Sequence, residues 1–289
     1  MKRVPAGQRT APPARGDGTA GAARSTEAGA RQRLDVALAG RGLAESREKA
    51  ARLVMAGLVR VDGQAAAKPS LMVAPAARLE VLRGPAFVSR GGDKLSAALD
   101  AFGVVPEGRV CVDVGASTGG FTHCLLERGA ARVYAVDVGR GQLDARLRAD
   151  GRVVVMERTN ARALTPHAFP ERPDLATVDV SFISLEKVLS AVFTVLASRG
   201  EAVVLVKPQF EAGRQAVGKG GVVRDPTAHG RVLERLARYA VLHGWHVQGV
   251  EASTLRGPKG NREFFLHLTK TGRTVAALST AIARAVGSA

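Results

Sequence analysis

The run Arg109-Val110-Cys111-Val112-Asp113-Val114-Gly115-Ala116-Ser117-Thr118-Gly119-Gly120-Phe121 restricts the fold more than any other stretch. Val110, Val112 and Val114, with Cys111 between them, make a near-continuous apolar run, as in a parallel strand covered on both faces. Gly115, Gly119 and Gly120 allow tight turns and close approach of a ligand to the backbone. A helix is predicted from Gly120 to Arg128, with Gly129 stopping it. A second strand follows at Val133-Tyr134-Ala135-Val136, and Asp137 stands at its tip. An acid there is where α/β nucleotide sites bind ribose hydroxyls.

A glycine turn alone is shared by many folds. Asp113 narrows the choice, because an acid in the last turn of the first strand would repel a pyrophosphate. It suits a ligand carrying a sulfonium and an ammonium, S-adenosylmethionine, and so favours methyl transfer over nicotinamide chemistry.

Composition adds a partner. The chain has 289 residues and a formal net charge of +16. Such a balance points to a polyanion, most often nucleic acid, against the plainer reading of a solvated basic surface. No apolar run approaches the ~18 residues of a membrane span, and the N-terminus lacks the apolar core of a secretory signal. A cytoplasmic, monomeric protein without membrane contact is therefore expected. Cys111 and Cys124 read as reduced core thiols around the glycine loop, and no spacing suggests a metal site.

Residues 1–30 are rich in Ala, Gly, Pro and Arg with almost no large apolar residue, and are expected to be a disordered basic tail. Residues 31–82 read as a small α/β unit. Leu34 and Leu38 lie one helical turn apart. Ser46 is an N-cap with Glu48 in the first turn, and Ala50, Leu53, Val54 and Gly57 follow a helical stripe. Leu58–Val61 is a short strand and Asp62-Gly63 a tight turn. Arg33, Arg47, Lys49, Arg52 and Arg60 stand off the stripe, a face that grips phosphates or is merely solvated. The run Arg33-Leu34-Asp35, Leu38, Gly42, Ser46-Arg47, Ala50, Gly57, Val59-x-Val61, Asp62-Gly63 resembles the RNA-binding domain named for ribosomal protein S-four. That resemblance implies binding of structured RNA through the 46–56 helix and the hairpin after it.

Residues 83–88 form a linker, 89–271 a second domain, and 272–289 a closing helix. Strands are predicted at 109–114, 132–137, 152–156, 174–180, 202–206, 245–251 and 263–268. Helices are predicted from Leu95 to about Phe102 and at 120–128, 142–149, 185–197 and 228–242. This alternation means a parallel sheet covered on both faces, with the last strand antiparallel. Ligands collect at the carboxyl ends of such strands. Asp113, Asp137, Glu157 with Asn160, Asp179 and Lys207 all fall there, and Glu263 begins the last strand. Asp179 and Lys207 cap strongly apolar strands, where an unpaired charge is costly. A ribose hydroxyl needs its proton withdrawn before it attacks a methyl group, and a lysine beside a second cation suits that task. Lys94 is the candidate second cation, with Asp179 and Glu263 holding the lysines. The loop Gly213–Asp225 is a lid over RNA or an ordinary surface loop, and Arg256, Lys259 and Arg262 could extend the same phosphate path.

Four motifs carry a second resemblance: Ser89-Arg90-Gly91-Gly92-x-Lys94-Leu95, Asp113 to Phe121, Asp179-Val180-Ser181-Phe182-Ile183-Ser184 and Lys207-Pro208-Gln209-Phe210-Glu211. Together they look like the TlyA family, over roughly residues 31–270. The resemblance implies a Rossmann-like, seven-stranded class I methyltransferase domain of the FtsJ-like kind, preceded by the small RNA-binding domain. It implies S-adenosylmethionine-dependent 2′-O-methylation of cytidine in 16S or 23S ribosomal RNA or both, with ribosomal subunits as partners; the sulfonium carbon is already activated, so no metal is required. The implied catalytic set is Lys94, Asp179, Lys207 and Glu263, with Lys207 the base. The expected cofactor contacts are Asp113, Gly115, Ser117, Thr118, Gly119, Gly120, Phe121, Asp137, Asn160 and Asp179. Arg33, Arg47, Lys49, Arg52, Arg60 and Arg90 are the expected RNA contacts. Two other classes stand beside this one: a non-catalytic RNA-binding ribosome-assembly factor, and a haemolysin-type membrane-active protein, a label some family members carry.

Overall fold

A computed structural model describes residues 30–82 and 86–288. The basic tail at 1–29 and linker residues 83–85 lie outside the described residues. The chain divides into two compact units, Met1–Gly84 and Pro85–Ala289.

In the small unit β1 (Gln32–Arg33) leads into α1 (Leu34–Gly40), and α2 (Arg47–Met55) follows. Ser46 caps α2, its hydroxyl accepting from Lys49 N at 3.1 Å. Three strands, β2 (Val59–Val61), β3 (Gln64–Ala65) and β5 (Leu79–Val81), form a sheet in the order β3-β2-β5, while β4 (Met72–Val73) pairs with β1. Asp62 and Gly63 both take positive φ, 52° and 81°, as the tight turn between β2 and β3 demands. Leu34, Leu38, Ala50, Val54 and Val59 form the core, with Leu53 packed against it; of the expected helical stripe, Gly57 is exposed. Asp35 is also buried. It receives Arg33 Nη2 at 2.8 Å and Arg47 Nε at 3.0 Å. The Arg33 hydrogen bonds, aided by Arg47, hold its carboxyl well below the usual range.

The large unit is a three-layer sandwich. Its sheet contains β6 (Val110–Val114), β7 (Arg132–Val136), β8 (Val153–Met156), β9 (Leu175–Val178), β10 (Glu201–Val206), β11 (His246–Ala252) and β12 (Phe264–Thr269). The order is β11-β12-β10-β9-β6-β7-β8, with β12 antiparallel to both its neighbours. Alternation along the strands splits the core. Cys111, Ala135, Leu175 and Leu205 face α3 (Arg90–Phe102), α4 (Gly120–Glu127) and α5 (Ala145–Arg148). Val112, Val136, Val178 and Val204 face α6 (Glu186–Val195), α8 (Pro226–Leu242) and α9 (Leu278–Ser288). A four-residue turn of helix, α7 (Pro208–Glu211), follows β10. Leu95 and Leu99, four residues apart on α3, are fully buried and stabilise its docking by about 1.5–3 kcal/mol each. Leu99→Ala would remove that anchor at a cost of about 2–5 kcal/mol. Gly103, at φ 66°, ends the helix.

Three elements differ from the periodicity reading, each for a local reason. The helix expected from Leu95 already begins at Arg90 and takes in Gly91 and Gly92, because Ser89 caps it and accepts from Gly91 N at 3.3 Å. The helix expected at 142–149 shrinks to α5, because Asp144 acts as its N-cap and accepts from Arg146 N at 2.8 Å. A capping residue holds extended backbone, so the helix cannot begin earlier. The strand expected at 174–180 ends at Val178. Asp179 is the first residue past the sheet edge, and the chain turns there into the site.

Candidate active site

Topology explains why four distant charges meet. β9 and β10 run parallel and adjacent, so Asp179 and Lys207 leave the sheet side by side. β12 runs the other way, and Phe264 lies opposite Val206. Glu263, one residue before Phe264, therefore starts at the edge where β10 ends. α3 brings Lys94 to the same place from the layer above.

The charges form two pairs. Lys94 Nζ lies 2.6 Å from Glu263 Oε2, with the side chains 9% and 0% exposed. Lys207 Nζ lies 2.5 Å from Asp179 Oδ1, with the side chains 13% and 26% exposed. The second contact is an ion pair without hydrogen-bond alignment at Oδ1; the aligned donation from Lys207 goes to Ser181 Oγ at 2.9 Å. Glu263 Oε1 is buried without a hydrogen-bond partner. It is pressed against Gly257, where a Cβ would collide with the carboxylate, so only glycine lets that loop close over it. All four charged residues line one cavity of about 250 Å³, together with Ser89, Arg90, Gly91, Thr118, Gly120 and Phe121.

A second cavity, of about 520 Å³, lies beside the first. That size falls within the range of about 300–1,000 Å³ usual for a small-molecule site. Gly115, Ser117 and Asp179 line both cavities. Gly115 has φ 89°, and a Cβ there would strike the carbonyl oxygen of Asp179; the bare backbone keeps the two strand ends close. Asp137 and Asn160 line the larger cavity only. Asp137 accepts from Ser117 N at 2.8 Å and from Gly139 N at 2.7 Å. It thereby fixes the glycine loop while staying on the cleft wall. Asn160 Oδ1 accepts from Arg162 N at 3.1 Å, so a ligand would meet its other polar atom, the amide nitrogen.

The ten expected cofactor residues thus separate. Gly115, Ser117, Asp137, Asn160 and Asp179 stand around the larger cavity. Thr118, Gly120 and Phe121 line the smaller one, and Gly119 lines neither, packing instead toward Leu143 and Leu147. Asp113 requires a correction. Its place in the strand predicts a carboxylate open to a cationic ligand, whereas Asp113 is fully buried and lines neither cavity. Its position explains why. Asp113 pairs in register with Thr177 and faces the α3–α4 layer. Thr177 Oγ1 donates to Oδ1 at 3.0 Å and Thr122 Oγ1 to Oδ2 at 2.7 Å. Burial pushes the carboxyl up to about 7, against the lowering effect of the two hydroxyls.

Among the expected RNA contacts, Arg90 lies in the 250 Å³ cavity. Arg33 and Arg47 are drawn to Asp35, and Lys49 lies 3.8 Å from Glu45. Arg52 and Arg60 are exposed and form no ion pair among the described residues. Sequence reasoning missed Thr122, Thr177 and Asn261. A threonine in an apolar strand reads as one more β-branched core residue, so nothing marked Thr177. Asn261 is buried and ties Gly221, Val223 and Pro258 together, fastening the 213–225 loop beside Glu263. Both cysteines are buried and free, with thiols pushed up to about 12 by burial.

A mixed sheet with one reversed strand next to its edge, a glycine loop after the first strand and a nucleotide-sized cleft at the strand ends define a methyltransferase of the Rossmann-like class. Comparison with known proteins makes the assignment narrower. Residues 87–270 match the FtsJ-like methyltransferase model, and residues 32–79 match the S4 domain. The chain is 52% identical over 89% of its length to the 16S/23S rRNA (cytidine-2′-O)-methyltransferase TlyA of Mycobacterium tuberculosis, covering 97% of that protein. It is 40% identical over 81% of its length to Hemolysin A of Brachyspira hyodysenteriae, covering 98% of it. A solved structure described as a hemolysin, from Streptococcus thermophilus, matches with a TM-score of 0.69 and 43% identity, over 90% of this chain and 95% of that one. The chain belongs to the FtsJ-like methyltransferase family, in the TlyA branch that carries an N-terminal S4 domain. No helix among the described residues is long and apolar enough to cross a membrane.

Proposed function

We propose that this protein transfers a methyl group from S-adenosylmethionine to the 2′-hydroxyl of cytidine in ribosomal RNA. The observation that carries the reading is the shared wall of the two cavities. Gly115, Ser117 and Asp179 border both, and Lys207 stands at that border, paired with Asp179.

The residues of the larger cavity fit the cofactor. Asp137 offers a carboxylate to ribose hydroxyls, Asn160 an amide to the adenine edge, and the open backbone at Gly115 admits the chain carrying sulfur. Bound there, S-adenosylmethionine supplies an activated methyl group whose sulfur leaves as a neutral thioether. The protein supplies alignment and a base. Lys207, with its amine unprotonated, takes the proton from the ribose oxygen as that oxygen attacks. Asp179 then compensates the ammonium that forms, and Ser181 keeps the nitrogen aimed. Lys94, locked on Glu263, adds fixed positive charge beside the developing alkoxide. The target nucleotide must leave its stack for the hydroxyl to enter the cavity. Arg52 and Arg60 of the S4 unit supply sequence-independent phosphate contacts.

The test is the chemical form of the product. Ribosomal RNA lacking the modification is incubated with the protein and methyl-labelled cofactor, then hydrolysed in alkali. A 2′-O-methyl group blocks cleavage at its own nucleotide, so the label is expected in an alkali-resistant dinucleotide beginning with cytidine. Label in mononucleotides would mean base methylation and refute the reading, as would no incorporation with either ribosomal subunit.

A further inference from the structure

Glu211 closes α7 and has no part in the chemistry above, yet it is a carboxylate with 2% of its side chain exposed. Leu185 N donates to its Oε1 at 2.7 Å. Ser184 Oγ donates to Oε2 at 2.9 Å, and Arg235 Nη2 reaches the same oxygen at 2.9 Å. The same Arg235 nitrogen donates to the Glu211 carbonyl at 2.9 Å. Desolvating a carboxylate costs free energy that such contacts must offset, and burial pushes this one up. A neutral side chain would pack the same space without that cost. The charged group alone accepts from three donors on two other segments at once.

The first of those segments and Glu211's own carry the reacting pair. The loop after β9 begins at Asp179, passes Ser181 and Phe182, and ends at Ser184 and Leu185. The turn after β10 begins at Lys207 and ends at Glu211. Lys207 joins Asp179 and Ser181 at the near ends, and Glu211 joins Ser184 and Leu185 at the far ends. Between them the rings of Phe182 and Phe210 lie 4.8 Å apart. Phe182 holds φ 62°, an uncommon value for a side chain of that size, so this loop keeps its shape only while both ends are fixed.

We propose that Glu211 is a positioning residue that sets the spacing of Lys207 and Asp179 by clamping the two segments, with Arg235 of α8 holding the clamp from outside. The inference rests on the reading of Lys207 as the base. Removing the clamp loosens the pair and slows transfer without altering how RNA binds.

The full-length protein is compared with Glu211→Gln and Ser184→Ala in two measurements. The first is competitive acetylation of Lys207, read by peptide mass spectrometry with Lys68 as reference, which needs no turnover. The second is steady-state methyl transfer to ribosomal RNA. In Glu211→Gln, Lys207 is expected to label at least threefold faster, and kcat to fall at least tenfold with KM for RNA within twofold. Ser184→Ala removes one donor and moves both readouts the same way by about twofold, which serves if the first variant folds poorly. Lys207 labelling at the wild-type rate in both variants would overturn the clamp, as would a KM that rises while kcat holds. A wild-type protein that fails to methylate RNA while labelling still responds would sink the function and support the clamp.

Discussion

The two lysine–carboxylate pairs make contacts of nearly equal length in different surroundings. Lys94–Glu263 is the more deeply buried and borders the smaller cavity alone, with Gly257 pressed on the carboxylate. Lys207–Asp179 is partly open, and Asp179 borders both cavities. The difference separates two uses of charge. A pair with little exposure, braced by its surroundings, shapes the field of the site. A pair at a cavity junction can break, exchange a proton and reform. The first is costly to disrupt for stability, the second for rate.

Breaking the open pair should give the largest change. Lys207→Ala is expected to lower methyl transfer by about 10²–10⁴-fold, the usual reach of a positioned general base. Cofactor affinity should stay within about threefold, measured by calorimetry on the same preparation. Full activity would remove Lys207 from its role. The more buried pair should respond in the opposite currency. Glu263→Gln leaves Lys94 desolvated beside a neutral amide, with an expected loss of about 3–5 kcal/mol in urea unfolding. Replacing both partners, Lys94→Met with Glu263→Leu, should restore most of that stability while transfer stays impaired. Equal destabilisation in the single and double variants would contradict this view of the more buried pair.

Asp113 sharpens the comparison, because it is a buried carboxyl with hydroxyl partners in place of a cation. Its folded-state value of about 7 lies above that of an unfolded aspartate, near 3.9. Between those values the folded protein keeps a proton that the unfolded chain has released. Stability from this group is therefore complete below about pH 4 and is lost as pH rises through about 7. Asp113→Asn should flatten that slope and gain on the order of 3 kcal/mol relative to wild type between pH 4 and pH 8, read by urea unfolding. Cofactor binding should change less than about threefold, since the residue borders no cavity. Parallel pH profiles for the two proteins would show that the carboxyl is ionised throughout.

Much of this was legible in the order of residues. Apolar runs set the strands, and Asp179 and Lys207 stood out as charges capping apolar strands on neighbouring positions. Strand alternation also held the clue to Asp113. It sits between Val112 and Val114, which face the opposite layer, so its side chain points into the α3–α4 core and away from the cleft. Beyond the two lysines, expected to be held by Asp179 and Glu263, pairing across the chain could not be read. Arg33 and Arg47 looked like free cations until the fold brought both onto Asp35. Thr122 and Thr177 became partners of Asp113 only through the β6–β9 register and the descent of α4. Glu211 showed as the end of a motif, but its donors lie 24 to 27 residues away in sequence. Local spacing reports which face a residue takes, and tertiary folding decides what it meets there.

The most direct test is a structure of the protein with S-adenosylhomocysteine and its target RNA. The account predicts a cytidine turned out of its stack with its ribose 2′-oxygen within about 2.6–3.2 Å of Lys207 Nζ and the cofactor sulfur over Gly115 and Asp179. A ribose that stays outside the cavity, or a cytosine ring facing Lys207 in its place, would contradict it.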